Sequence, residues 1–198
     1  LEPNITDLTS RARLPKVVGI GETGLDYFRL KDRTVADMEW QRERFRVHIR
    51  AARQTEKPLV IHTRCASDDT LAILKEEGES PGRESRARGV FHCFTESMDV
   101  ARAALDLGFY ISFSGIVTFK NASDIRDVAR FVPLDRLLIE TDSAYLAPMP
   151  YRGQTNNPSY VPLIAQQIAD VRQQPLAEIA KATSHNFETL FDGVTAHD

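Results

Sequence analysis

The chain has 198 residues, 42% of them hydrophobic and 27% charged, which is enough apolar material for a real core and close to average globular usage. That excludes disordered, collagen-like and low-complexity architectures. The net charge of −3 excludes a general polyanion binder acting through bulk charge, so any nucleic-acid contact has to be local. No apolar run approaches the length of a transmembrane helix. The opening Leu1-Glu2-Pro3-Asn4 has neither the basic nor the apolar region of a secretory signal. Two cysteines, Cys65 and Cys93, make no disulfide framework, and a reducing, cytoplasmic setting is expected.

In chain order, short apolar runs alternate with amphipathic stretches. The runs are residues 16–22, 58–62, 89–92, 109–114 and 137–142. Each is β-branched or aromatic and bounded by Gly, Pro or charge, as buried parallel strands are. Between them lie helices. Thr34 and Asp37 form a capping pair ahead of Met38, Phe45, Ile49 and Ala52, which share a face. Ser97 caps a helix carrying Val100, Ala101, Ala104 and Leu105 and ending at Gly108. Ile125, Val128, Ala129 and Val132 line another, stopped by Pro133. Residues 161–173 and 176–191 are expected as closing helices, and Glu76 to Arg88 as a charged surface loop. Strand–helix alternation implies an α/β protein with a parallel sheet of about five strands built from right-handed βα units.

The polar residues at the strand ends carry the chemistry. Side chains alternate along a strand. Val18, Ile20 and Glu22 are expected on one face, as are Val60 and His62, Val90 and His92, and Leu138, Glu140 and Asp142. Four strands thus run apolar and end in Glu, His, His and Asp. Taken singly, each has an ordinary structural reading as a turn, cap or hydrogen-bonded residue. Taken together they crowd one rim, where carboxylates repel or take up protons unless a cation compensates them. Two imidazoles and two carboxylates suit Zn, Mn or Fe and tolerate Mg. Barrel active sites lie at this carboxyl rim. His48 and His185 read as structural, and His197 lies in the tail. Glu140 reads either as a residue orienting a ligand or as a buried residue with its own partner.

Several blocks resemble one family. Gly21-Glu22-Thr23-Gly24-Leu25-Asp26-Tyr27, Ile61-His62-Thr63-Arg64, Phe91-His92-Cys93-Phe94-Thr95, residues 110–115 and residues 140–148, with Arg152-Gly153 and Asn157-Pro158, are similar in order and spacing to the TatD metal-dependent deoxyribonucleases. The resemblance covers residues 14–191, leaving 192–198 as a tail. It implies a TIM-type (β/α)₈ barrel of the amidohydrolase kind and hydrolysis of DNA phosphodiester bonds with two divalent cations (Mg, Mn or Zn). A monomer in the cytoplasm, with no small organic cofactor and no membrane contact, is also expected. Carried over by position, Glu22 bridges two metals, His62 and His92 hold one of them, and Asp142 holds the other and activates the attacking water. Arg29, Arg64, Lys120 and Arg152 are candidates to hold flanking phosphates or are ordinary solvated charges, and Tyr27 and Phe94 either stack a base or are buried against the barrel top.

The sequence departs from the family pattern in places. Cys65 stands where relatives have an acidic residue or Ser, and Ala144 where Pro is common. No H-x-H pair, which opens the family's sequences, occurs here. A closed barrel takes about 250 residues, so the expectation is of about five C-terminal βα units, with roughly 60–80 residues preceding them elsewhere and little activity in this polypeptide alone. Two alternatives stay open. One is an ester or amide hydrolase of the same architecture, such as a D-aminoacyl-tRNA deacylase. The other is a non-catalytic fragment that still binds metal. A dinucleotide-binding fold is disfavoured, because no G-x-G-x-x-G joins a strand to a helix.

Overall fold

The computed structural model describes residues 2–78, 86–192 and 194. Most of the expected loop between Glu76 and Arg88, and most of the tail with His197, fall outside the described residues. The chain divides into two units, Leu1–Val90 with Leu190–Asp198, and Phe91–Thr189.

The first unit opens with helix α1 (Ile5–Ala12), which the sequence analysis did not single out. Its cap is nonetheless written in the sequence: the Asn4 side chain accepts the Asp7 N–H at 2.9 Å. Strand β1 (Ile20–Asp26) pairs in parallel with β2 (Leu59–Arg64), and helix α2 (Glu39–Thr55) connects them. A short 3-10 turn, Val35–Met38, precedes α2. There the Asp37 carboxylate accepts the Thr34 N–H at 2.7 Å and its hydroxyl at 2.8 Å. Met38, Phe45, Ile49 and Ala52 are all buried, as the helical spacing requires.

Helix α3 (Ser67–Gly78) is tied to α2 by charge. The Arg50 guanidinium grips the Glu77 carboxylate with contacts at 2.7 and 3.0 Å, while Arg53 donates to the Glu77 carbonyl. At the other end of α3, Asp69 accepts from the Tyr27 hydroxyl at 2.7 Å and from Arg42 at 3.1 Å.

The boundaries of β1 differ from expectation. The strand starts at Ile20 and runs past Glu22 to Asp26. Ile20 pairs with Leu59 and Thr23 with Ile61, so β1 holds one more residue than β2 over this stretch. This bulge breaks the alternation. Ile20 is buried and Glu22 is exposed, rather than sharing one inward face with Val18.

The second unit begins within β3 (Gly89–Phe91) and continues through α4 (Met98–Asp106), β4 (Tyr110–Phe113), α5 (Ser123–Phe131), β5 (Leu137–Ile139), α6 (Val161–Arg172) and α7 (Leu176–Leu190). Strands β4 and β5 pair in parallel, Ile111 with Leu137 and Phe113 with Ile139. Ser97 caps α4 through the Val100 N–H, and Gly108 follows with φ of 87°, a left-handed backbone that glycine takes without penalty. Phe91 and Phe109 meet edge to face, as do Phe94 and Phe113. Arg172 of α6 donates to the carbonyls of Ala129 and Val132 at 2.8 and 2.7 Å, satisfying the end of α5. Asn186 of α7 donates to the carbonyls of Leu134 and Leu137, both at 2.8 Å, and so fixes the start of β5. Among the described residues no helix is long and apolar enough to cross a membrane.

Candidate metal centre

In the first unit, register brings Glu22 and His62 together. Gly24 pairs with His62 across β1 and β2. Its φ is 142°, and a Cβ there would lie 1.9 Å from the His62 carbonyl oxygen, so only glycine lets the strands approach this closely. The His62 imidazole lies between two carboxylates: Nδ1 is 3.0 Å from Glu22 Oε1, and Nε2 is 3.3 Å from Asp26 Oδ2. Asp26 was not among the expected site residues. Glu22, Gly24 and Asp26 alternate along the strand only once the bulge has set its register, and the bulge is a relation between two strands. The backbone of Asp26 is fixed by Gln41, whose side chain accepts its N–H at 2.9 Å and donates to its carbonyl at 3.0 Å. These residues line an open cleft of about 360 Å³ together with Trp40 and Arg44.

In the second unit, His92 follows β3 directly and Glu140 follows β5 directly. His92 Nδ1 lies 3.1 Å from Glu140 Oε1. Ligand atoms of His92, Glu140 and Asp142 all fall within 4.8 Å of one another. Burial pushes the Glu140 carboxyl up. The hydrogen bond and charge of His92, the Ser112 hydroxyl and the Cys93 N–H outweigh that and hold it below its ordinary value. Cys93 lies beside this cluster with its thiol 3.1 Å from the Ser114 hydroxyl. Burial pushes that thiol up to about 12, and the charges of Glu140 and Asp142 reinforce the effect against the Ser114 hydrogen bond.

The expected alternation through Leu138, Glu140 and Asp142 stops early. Strand β5 ends at Ile139, and Asp142 adopts a left-handed backbone with φ of 55°. A turn, rather than a strand, aims this carboxylate. The Tyr145 N–H donates to the Asp142 carbonyl at 3.1 Å. The buried Asn156 amide donates to the carbonyls of Thr141 and Tyr145, both at 2.6 Å, and its own N–H donates to the Ala144 carbonyl at 3.1 Å. Left-handed backbones also occur at Cys65 (φ 53°), just past β2, and Cys93 (φ 42°), two residues past β3.

The remaining expected residues divide. Tyr27 is 8% exposed with its hydroxyl engaged by Asp69 and Arg42, and Phe94 is 3% exposed against Phe113. Of the two expectations for these rings, stacking on a base or burial, both rings are buried. Arg64 lies over the exposed Phe28 ring at 3.7 Å from its centroid, and Arg29 over the same ring at 5.5 Å. Arg152 lies over Phe119 at 3.7 Å, and Lys120 is exposed. His48 contacts the Arg44 carbonyl at 2.7 Å within its own helix, a structural role. His185 is exposed on α7.

Imidazole nitrogens beside carboxylate oxygens are the donor set that holds borderline and hard divalent cations, so both groupings fit such ions. The comparisons with known proteins bear on this directly. Residues 2–192 match the family model described as TatD related DNase.

This chain belongs to the TatD family.

The Escherichia coli K12 protein YcfH, described as an uncharacterized metal-dependent hydrolase, is 49% identical over 188 residues, covering 95% of this chain and 68% of that protein. Bacillus subtilis YabD, with the same description, is 47% identical over 177 residues, covering 89% and 66%. The crystal structure of YjjV, a TatD homologue from E. coli K12, superposes with a TM-score of 0.83 at 30% identity, covering 96% of this chain and 70% of that one. The chain is a metal-dependent hydrolase of the TatD family, with the α/β, parallel-stranded, barrel-type fold of its relatives.

Proposed function

We propose that this TatD-family hydrolase cleaves phosphodiester bonds of DNA, and that Glu22 and His62 in the first unit and His92 and Asp142 in the second would hold the divalent cations this needs. The observation that carries the reading is the grouping of His92, Glu140 and Asp142 within ligand distance of one another. When bound, divalent cations supply positive charge against the phosphate oxygens and make water a better nucleophile at neutral pH. Asp142 accepts the proton of the attacking water as general base. Glu140 accepts a hydrogen bond from His92 Nδ1–H, which leaves Nε2 to a cation. Arg29, Arg64 and Arg152 sit on aromatic rings that hold their guanidinium groups in place, which suits them to flanking phosphates. Both cysteines are free thiols, which supports a reducing, cytoplasmic setting.

The test is hydrolysis of a single-stranded oligodeoxynucleotide and of an aminoacyl ester by chelator-treated protein, with and without Mg, Mn or Zn. DNA cleavage restored by metal and abolished by Glu22→Ala supports the reading. Hydrolysis of the ester alone, or a Glu22→Ala variant that keeps most of its turnover, overturns it.

A further inference from the structure

Four of the five tyrosines have a structural occupation. Tyr27 donates to Asp69, Tyr110 lies under the Arg136 guanidinium, and Tyr151 and Tyr160 stack on each other at 4.4 Å. Tyr145 has no such side-chain partner among the described residues. It is 80% exposed, more than any other large hydrophobic side chain among them.

Its backbone, by contrast, is held on both sides. The Tyr145 N–H donates to the Asp142 carbonyl, and its own carbonyl accepts from the buried Asn156 amide at 2.6 Å. The next residue, Leu146, has a left-handed φ of 60°. Its carbonyl lies so close to Gly115 that a Cβ there would come within 2.0 Å. The four-residue turn from Asp142 to Tyr145 keeps their Cα atoms within about 7 Å. A bare aromatic ring on an immobilised backbone, one turn from the carboxylate assigned as general base, is a preorganised contact for a flat ligand.

We propose that Tyr145 is a substrate-contact residue on which a nucleobase next to the scissile phosphate stacks. The inference rests on the deoxyribonuclease reading and deepens it. An exposed ring offers a π-face to any base, so the contact gives grip without sequence preference. Arg152 and Lys120 in the same unit supply positive charge for the strand's phosphates. The same clamp therefore serves two ends: Asn156 fixes the turn that aims Asp142 and the position that presents Tyr145.

The experiment compares wild type, Tyr145→Ala and Tyr145→Phe on two single-stranded oligodeoxynucleotides, one normal and one abasic at the cleaved end. Tyr145→Ala is expected to raise KM about 5- to 100-fold on the normal strand, with kcat within about twofold of wild type. Tyr145→Phe keeps the ring and behaves as wild type. On the abasic strand all three proteins are equal. Quenching of a 2-aminopurine base on binding in the presence of chelator, seen with wild type and Tyr145→Phe and lost in Tyr145→Ala, reads the stack without turnover. Unchanged KM and quenching in Tyr145→Ala, or equal impairment on both strands, overturns the inference while leaving the nuclease reading intact. Wild type that cleaves neither strand and shows no quenching with the normal strand defeats the nuclease reading and this inference with it.

Discussion

Glu140 and His92 form a carboxylate–imidazole pair, with Glu140 Oε1 3.1 Å from His92 Nδ1. The carboxylate is additionally held by Ser112 and by the Cys93 N–H. A ligand imidazole bonded in this way has its ring plane and tautomer fixed before a cation arrives. Glu140→Gln keeps an acceptor but loses the charge, and is expected to weaken Mn binding about 10-fold. Glu140→Ala is expected to weaken it about 100-fold. Calorimetric titration of the chelator-treated protein measures both, and affinities equal to wild type remove Glu140 from this role.

Gly24→Ala is expected to damage the grouping of Glu22 and His62 directly. The added methyl would sit 1.9 Å from the His62 carbonyl oxygen, and the φ of 142° is one that L side chains rarely adopt. The β1–β2 register has to yield, at a cost of about 1–3 kcal/mol. Urea denaturation reads the stability and a Zn titration reads the ligand geometry. A variant normal in both contradicts the close approach of these strands.

Thiol chemistry distinguishes the two cysteines. Cys65 is exposed, whereas burial holds the Cys93 thiol up to about 12. In metal-free native protein at pH 8, a chromogenic disulfide reagent is expected to titrate one thiol quickly and the second only on unfolding. The linkage has a definite sign. The unfolded Cys93 ionises near its ordinary value of 9.0 and the folded one near 12, so this group removes stability as pH rises between them. Rapid reaction of both thiols in folded protein contradicts the burial of Cys93.

Asn156→Ala removes the donor to the Thr141 and Tyr145 carbonyls. Leaving partly buried acceptors unpaired costs about 1–3 kcal/mol. Metal affinity is expected to fall along with stability, because Asp142 loses the frame of its turn. Asn156→Ser, too short to span both carbonyls, is expected to recover little. Wild-type Mn affinity in a folded Asn156→Ala variant shows that the turn holds without the clamp.

How much of this was legible depended on the distance over which each feature is encoded. The α2 face and the caps at Asn4, Thr34 and Ser97 lie within a few residues of sequence, and the periodicity that revealed the face is the periodicity of burial. Glu22, His62, His92 and Asp142 were singled out because each closes a recognisable apolar run. The β1 bulge was hidden, since a register shift is a relation between two strands and β1 alone does not carry it. Asp26 was hidden for the same reason. The Asn156 clamp spans the loop back to Thr141, and nothing in the residues between them marks the contact. Tyr27 and Phe94 were left between stacking and burial because an aromatic residue beside a ligand looks the same in sequence whether it faces solvent or core.

The left-handed backbones at Cys65, Cys93 and Asp142 set a limit on how this protein can be improved. Glycine would occupy each position with less conformational strain, and only aspartate among the three tolerates it comparatively well. A search that ranks variants by melting temperature alone would drift toward glycine at these corners, Asp142 included, and discard the carboxylate while reporting success. Under the ligand assignment proposed above, an engineering screen therefore has to select on cation uptake from its first round.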